Sequence, residues 1–96
     1  TPTSRALSQE TVILDIREEW EIHPDDRLLL PTATLLPLER LYEEIDALDR
    51  EGDYVLVCEH GRRSGRALRD LKELGFLRVR HLAGGYGRLR ESLCSD

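Results

Sequence analysis

Cys58 is the residue whose setting carries the most chemistry. It follows the apolar run Tyr54-Val55-Leu56-Val57 and opens the stretch Cys58-Glu59-His60-Gly61-Arg62-Arg63-Ser64-Gly65, after which an amphipathic pattern begins. In an open parallel sheet, ligands bind beyond the carboxyl ends of the strands, which is where such a cysteine falls. The backbone N–H groups of Glu59 to Ser64 can turn inward as a cradle, and the free N–H groups of the following helix add partial positive charge. Gly61 permits the positive φ that a tight cradle needs, while Arg62 and Arg63 add full charges. A thiol in that setting titrates well below its usual value near 8.5, anywhere from about 3.5 to 7.5. Cys58 is therefore expected to be a thiolate and a nucleophile. The competing reading is a core cysteine closing an apolar strand, the commonest fate of a free cysteine. The following x-x-G-x-R-S run and helix favour the nucleophile.

The elements that must position this loop are legible in the patterning. Thr11–Ile16 is a short β-branched run, read as a strand that is apolar on both faces. Arg17–Ile22 makes at most a helical turn around Trp20 before His23-Pro24. Thr32–Leu36 is a second strand between Pro31 and Pro37, which lack the amide hydrogen for ladder bonding. Leu38–Leu48 places Leu38, Leu41, Tyr42, Ile45 and Leu48 on one helical face. Tyr54–Val57 is a buried strand and Ser64–Leu74 a helix, with Gly75 placed as its left-handed cap. Val79 and Leu82 mark a further strand, Ala83–Gly87 a glycine turn and Tyr86–Leu93 a closing helix. Strands alternating with helices imply an α/β domain with a mostly parallel sheet, covered on both faces.

Composition bounds the rest. Ninety-six residues make one domain, read as an irregular segment over residues 1–10 followed by a single domain over residues 11–96. The chain is 40% hydrophobic and 34% charged with a formal charge of −5, which suits a globule and argues against a nucleic-acid binder. No apolar run approaches the roughly 18 residues of a membrane span, and no secretory signal opens the sequence. Two cysteines make no disulfide framework, so a reducing, cytoplasmic setting is expected. Only Lys72 among the 14 basic residues is not arginine.

With these residues in view, the sequence resembles the rhodanese family of sulfurtransferases. Asp15-Ile16-Arg17-Glu18-Glu19-Trp20-Glu21 matches its D-x-R-x-x-x-E turn, and Ala33–Pro37 its Ala-x-x-x-Pro strand. Cys58 to Ser64 is a complete C-x-x-G-x-R-S active-site loop. Gly75-Phe76 and Leu82-Ala83-Gly84-Gly85 match its later signatures. The resemblance implies a three-layer α/β domain with a central five-stranded parallel sheet. It also implies a mechanism: Cys58 attacks a sulfane donor, holds the sulfur as a persulfide in the cradle of Glu59, His60, Gly61, Arg62, Arg63 and Ser64, and passes it to a thiol, cyanide or protein acceptor. Thiosulfate or a persulfide would be the small anionic donor, and no metal or organic cofactor is implied. Arg62 or Arg63 would steer it inward. For Arg63 an ion pair with Asp15 stands level with that role, and Asp15 and Arg17 are read as polar residues bracing the loop.

Two other functions fit less well. Cysteine phosphatases and arsenate reductases on this fold use C-x5-R, whereas Cys58 and Arg63 give the tighter C-x4-R, suited to one sulfur atom. A non-catalytic, partner-binding copy of the domain is disfavoured by the intact Cys58. The sequence departs from the family at Leu29-Leu30-Pro31-Thr32-Ala33, where a G-H-I-P-G-A segment is usual. Glu59 sets an acid within the loop, which partly offsets the arginines. His60 beside Cys58 lacks a second ligand pair for a metal, His23 and His81 read as surface or strand-end residues, and Cys94 reads as an idle terminal thiol rather than a resolving one.

Overall fold

Short apolar runs become the strands of one parallel sheet because each has β-branched or aliphatic side chains to bury on both sides. The computed structural model describes residues 11–94, with side chains as far as Ser92. Strands β1 (Val12–Asp15), β2 (Thr34–Leu35), β3 (Asp53–Val57) and β4 (Arg78–His81) lie in the order β2-β1-β3-β4. Every neighbouring pair is parallel, with Leu14 beside Leu56 and Leu56 beside His81. Four strands among the described residues replace the five that the resemblance implied. β2 is only two residues long, penned between the prolines that cannot donate to a ladder. The irregular segment expected over residues 1–10 lies outside the described residues, as does the side chain of Cys94 with its expected idle role.

One face of the sheet carries the core. Leu14, Tyr54, Leu56 and Val79 pack with Leu41 of helix α2 (Leu38–Glu43) and with Ala67 and Leu71 of helix α3 (Arg62–Glu73). On the other side, Asp15 and Val57 are buried with Tyr86 of helix α4 (Gly85–Cys94), which packs on the short helix α1 (Asp26–Leu29). The helix expected over Leu38–Leu48 stops at Glu43 and continues as a 3₁₀ turn at Ile45–Ala47. The tightened turn still brings Leu38, Ile45 and Leu48 against the core, but leaves Tyr42 at the surface, bonded to Asp70. The leucine-rich Asp25–Leu30 stretch contains α1. Its Asp26 is buried while Leu28 is exposed. No helix among the described residues is long and apolar enough to cross a membrane.

Helix α3 begins two residues before the expected Ser64, directly out of the Cys58 loop, and ends as the sequence indicated. Gly75, at φ +100°, donates to the Lys72 carbonyl, and the Phe76 amide donates to that of Leu71. These two bonds form a Schellman motif, and Phe76 and Leu71 meet in the core beneath it. The motif fixes the path from α3 into β4. Leu71, 1% exposed, is the centre of this arrangement. Replacing it with alanine is expected to remove about 2–5 kcal/mol of stability, read in urea as a lower midpoint with an unchanged slope.

Candidate active site

The carboxyl ends of β1 and β3 deliver two opposite kinds of polar group. β1 ends in Asp15, followed by Ile16 and Arg17, and β3 is followed by Cys58. Arg17 is wholly buried. Its Nε and one terminal nitrogen donate to the two oxygens of Asp15, both at 2.9 Å. The other terminal nitrogen donates to Asp26 at 2.8 Å and Glu59 at 3.1 Å. Arg90 on α4 closes the same cluster, bonding both oxygens of Asp26 at 3.0 Å and the carboxylate of Glu59. The loop acid is thus tied to two guanidinium groups. Asp26 and Arg90 carry no local pattern that marks them for this role, and Arg90 lies 64 and 31 positions from its partners Asp26 and Glu59.

Burial alone would raise Asp26, but the bonds from Arg90, the His23 amide and Arg17 outweigh it and hold the carboxyl at about 2. Arg63 on α3 does not meet Asp15, which Arg17 already occupies. It forks onto Glu21 instead, at 2.8 and 2.5 Å. That pairing, opposed by burial and helped by the Glu18 amide, lowers Glu21 to about 2. Glu21 in turn accepts from the Glu18 backbone amide at 2.9 Å, which closes the turn that follows β1. The Glu59 carboxyl is also lowered, first by Arg90 and then by Arg17, against burial.

Cys58 is 1% exposed, and hydrogen-bond donors surround its sulfur. The Gly61 amide lies 3.0 Å from Sγ and the Ser64 amide 3.4 Å, with Ser64 Oγ at 3.5 Å. Gly61 caps α3 at φ +90°, where a Cβ would come within 2.8 Å of the Gly84 nitrogen, so only glycine makes the turn. Burial pushes the Cys58 thiol up. The Ser64 hydroxyl and the amides of Ser64, Gly61 and His60 more than reverse this and leave it below its ordinary value. Of the expected cradle, His60, Gly61 and Ser64 thus bring backbone amides to the sulfur. The Glu59 and Arg63 side chains are engaged elsewhere, and the Arg62 and His60 side chains are exposed. Ser64 Oγ also lies 2.9 Å from Nδ1 of His81 at the end of β4. From the sequence alone His81 reads as a surface or strand-end residue. The available signal was that β4, like β3, ends at the ligand edge of the sheet. Among the described residues no group of three or more His, Cys, Asp or Glu is gathered to hold a metal ion.

Residues 3–91 match the family described as the Rhodanese-like domain. Over 80 residues the chain is 30% identical to a protein of Allochromatium vinosum named Sulfurtransferase, with 83% of this chain and 72% of that one covered. A rhodanese-related protein from Thermoplasma volcanium superposes with a TM-score of 0.69 at 27% identity, over 94% of this chain and 84% of that one. An NAD-dependent persulfide reductase from A. fulgidus is 37% identical with a TM-score of 0.60; the match takes in 78% of this chain and 13% of that one.

The clamped carboxylates give stability a pH dependence of definite sign. Asp26 and Glu21 titrate at about 2 in the folded protein, against roughly 4 in an unfolded chain. Groups with depressed folded values stabilise above their unfolded value and lose that contribution as pH falls towards the folded one. Stability is therefore expected to drop between roughly pH 4.5 and 2. Asp26→Asn should cost about 3–5 kcal/mol at neutral pH by leaving charge uncompensated and should flatten that acid limb. Urea denaturation across a pH series checks both.

Proposed function

The chain belongs to the rhodanese-like domain family and has a sulfur-transfer role, and we propose that Cys58 carries the sulfur as a persulfide. The observation that bears most weight is the ring of donors around a nearly buried sulfur at the start of α3. Such a site favours a sulfur anion, whether it stands on the thiolate itself or one atom further out on a persulfide.

In the proposed cycle the Cys58 thiolate attacks the outer sulfur of thiosulfate. The Sγ–S bond forms as the S–S bond of the donor breaks, and sulfite leaves with the electron pair. An acceptor thiol or cyanide then attacks the outer sulfur, and Cys58 departs as thiolate. Preorganised amides need no rearrangement as charge moves between donor, cysteine and acceptor, and comparable donors are worth about 3–4 kcal/mol each when removed. Arg62 is exposed at the first turn of α3, and no carboxylate pairs with it among the described residues. It is the cation we assign to drawing an anionic donor towards the loop. Arg63 shares its charge with Glu21 and serves first to hold the preceding turn. A thiol that works in its reduced form suits the reducing cytoplasm, the compartment we propose.

Incubation with thiosulfate, followed by intact-mass measurement, tests this reading. The expected outcome is a gain of about 32 Da, one sulfur atom carried as a persulfide, that cyanide or glutathione removes and that Cys58→Ser abolishes. Absence of the gain with thiosulfate, 3-mercaptopyruvate and glutathione persulfide alike would overturn it.

A further inference from the structure

A buried thiol that must ionise needs somewhere to send its proton. Cys58 is 1% exposed and Ser64 is wholly buried. Ser64 Oγ accepts from the Cys58 thiol at 3.5 Å, and its own hydroxyl proton has two acceptors within reach: the Gly61 carbonyl oxygen at 3.3 Å and Nδ1 of His81 at 2.9 Å. The imidazole is the nearer of the two, and it is half-buried where the Cys58 and Ser64 side chains are closed off. His81 pairs in register with Leu56, so its side chain stands on the face covered by α3. It rests there against Gly65. A Cβ at that position would lie 3.3 Å from the imidazole Cε1. The backbone of Gly65 does not lie at positive φ, and a helix interior disfavours glycine relative to alanine. The missing side chain leaves room for the ring.

We propose that His81 is a positioning residue that takes the Cys58 proton through Ser64. The thiol proton moves to Ser64 Oγ as the serine hydroxyl proton moves to Nδ1 of His81. One S–H bond breaks, one N–H bond forms, the serine keeps one proton, and net charge is unchanged. The result is a thiolate and an imidazolium bridged by a hydroxyl that now donates to sulfur. Other ionisable groups stand near the pair among the described residues. Arg63 on α3 is coupled electrostatically to the thiolate. His60 reaches the sulfur by its backbone amide, and Arg80 on β4 is paired with Asp53 on β3.

This inference rests on Cys58 as the nucleophile proposed above, so its test separates the two. Thiolate formation is followed by ultraviolet absorbance against pH, with Cys58→Ser as the blank, for the unaltered protein, His81→Ala, His81→Asn, Ser64→Ala and the Ser64→Ala/His81→Ala double variant. Loss of one hydrogen bond to a charged group should move the midpoint up by about one pH unit, a tenfold fall in thiolate below it. His81→Asn should behave like His81→Ala, because an amide can donate at the Nδ1 position but cannot take a proton. The double variant should titrate with Ser64→Ala, because the two residues act in series. An unmoved midpoint in His81→Ala, an unaltered profile in His81→Asn, or an additive shift in the double variant would each overturn the proposal. If the midpoints move as expected while the unaltered protein gains no sulfur, the persulfide reading fails and the proton route stands.

Discussion

The guanidinium of Arg17 has no contact with solvent, and its donors are taken up by the protein. Three carboxylates, those of Asp15, Asp26 and Glu59, receive them, and the ring of Tyr86 covers one face at 3.7 Å from the guanidinium carbon. A buried cation is tolerated only when paired and hydrogen-bonded in full. Each partner is therefore held by the need to satisfy the others. Asp15 belongs to the end of β1, Asp26 to α1, Glu59 to the Cys58 loop and Tyr86 to α4, so one side chain fastens four separate segments around the ligand edge of the sheet. Arg90 repeats the grip from the far side, sharing Asp26 and Glu59.

That clamp changes what the charged residues of the loop do. An acid next to a nucleophilic thiol would oppose ionisation if its charge stood free. Here Glu59 is spent on two guanidinium groups, while Arg63 is divided between the thiolate and Glu21. The groups that hydrogen-bond the sulfur are neutral dipoles: three backbone amides and one hydroxyl. Fixed dipoles at a helix start stabilise an anion without demanding a counterion. The depression of the Cys58 thiol therefore comes from the path of the backbone more than from the arginines that the sequence displays beside it.

Much of this was legible in the sequence where the cause is local. β3, the Cys58 loop, the positive φ of Gly61 and the cap at Gly75 each follow from residues within a few positions of one another. What was hidden arises between residues far apart. Arg90 meets Asp26 across 64 positions, Arg63 meets Glu21 across 42, and His81 meets Ser64 across 17. No periodicity marks a charged residue for burial, so nothing in the sequence singles out Asp26, and the Asp15–Arg63 pair that stood level with a steering role gives way to Arg17 on Asp15 and Arg63 on Glu21. The helix expected over Leu38–Leu48 failed for a different reason. Its apolar spacing is satisfied equally by a helix that tightens into a 3₁₀ turn, and spacing alone does not choose between them.

The glycine-rich start of α4 explains why the loop can present donors at all. A tight loop carries as many carbonyls as amides, and amides can converge on one point only if the carbonyls find partners elsewhere. The Tyr86 amide donates to the Cys58 carbonyl at 3.0 Å, and the Gly87 amide to the Glu59 carbonyl at 2.9 Å. To make those bonds Gly84 and the first residues of α4 lie directly on the loop. At Gly85, with φ +58°, a Cβ would fall 2.1 Å from the Cys58 oxygen. The residue is glycine because there is no space for anything larger. The Gly-Gly pair and the Cys58 loop, 20 or more residues apart in the sequence, are thus two halves of one arrangement. One takes the carbonyls from behind, and the other turns its amides towards the sulfur.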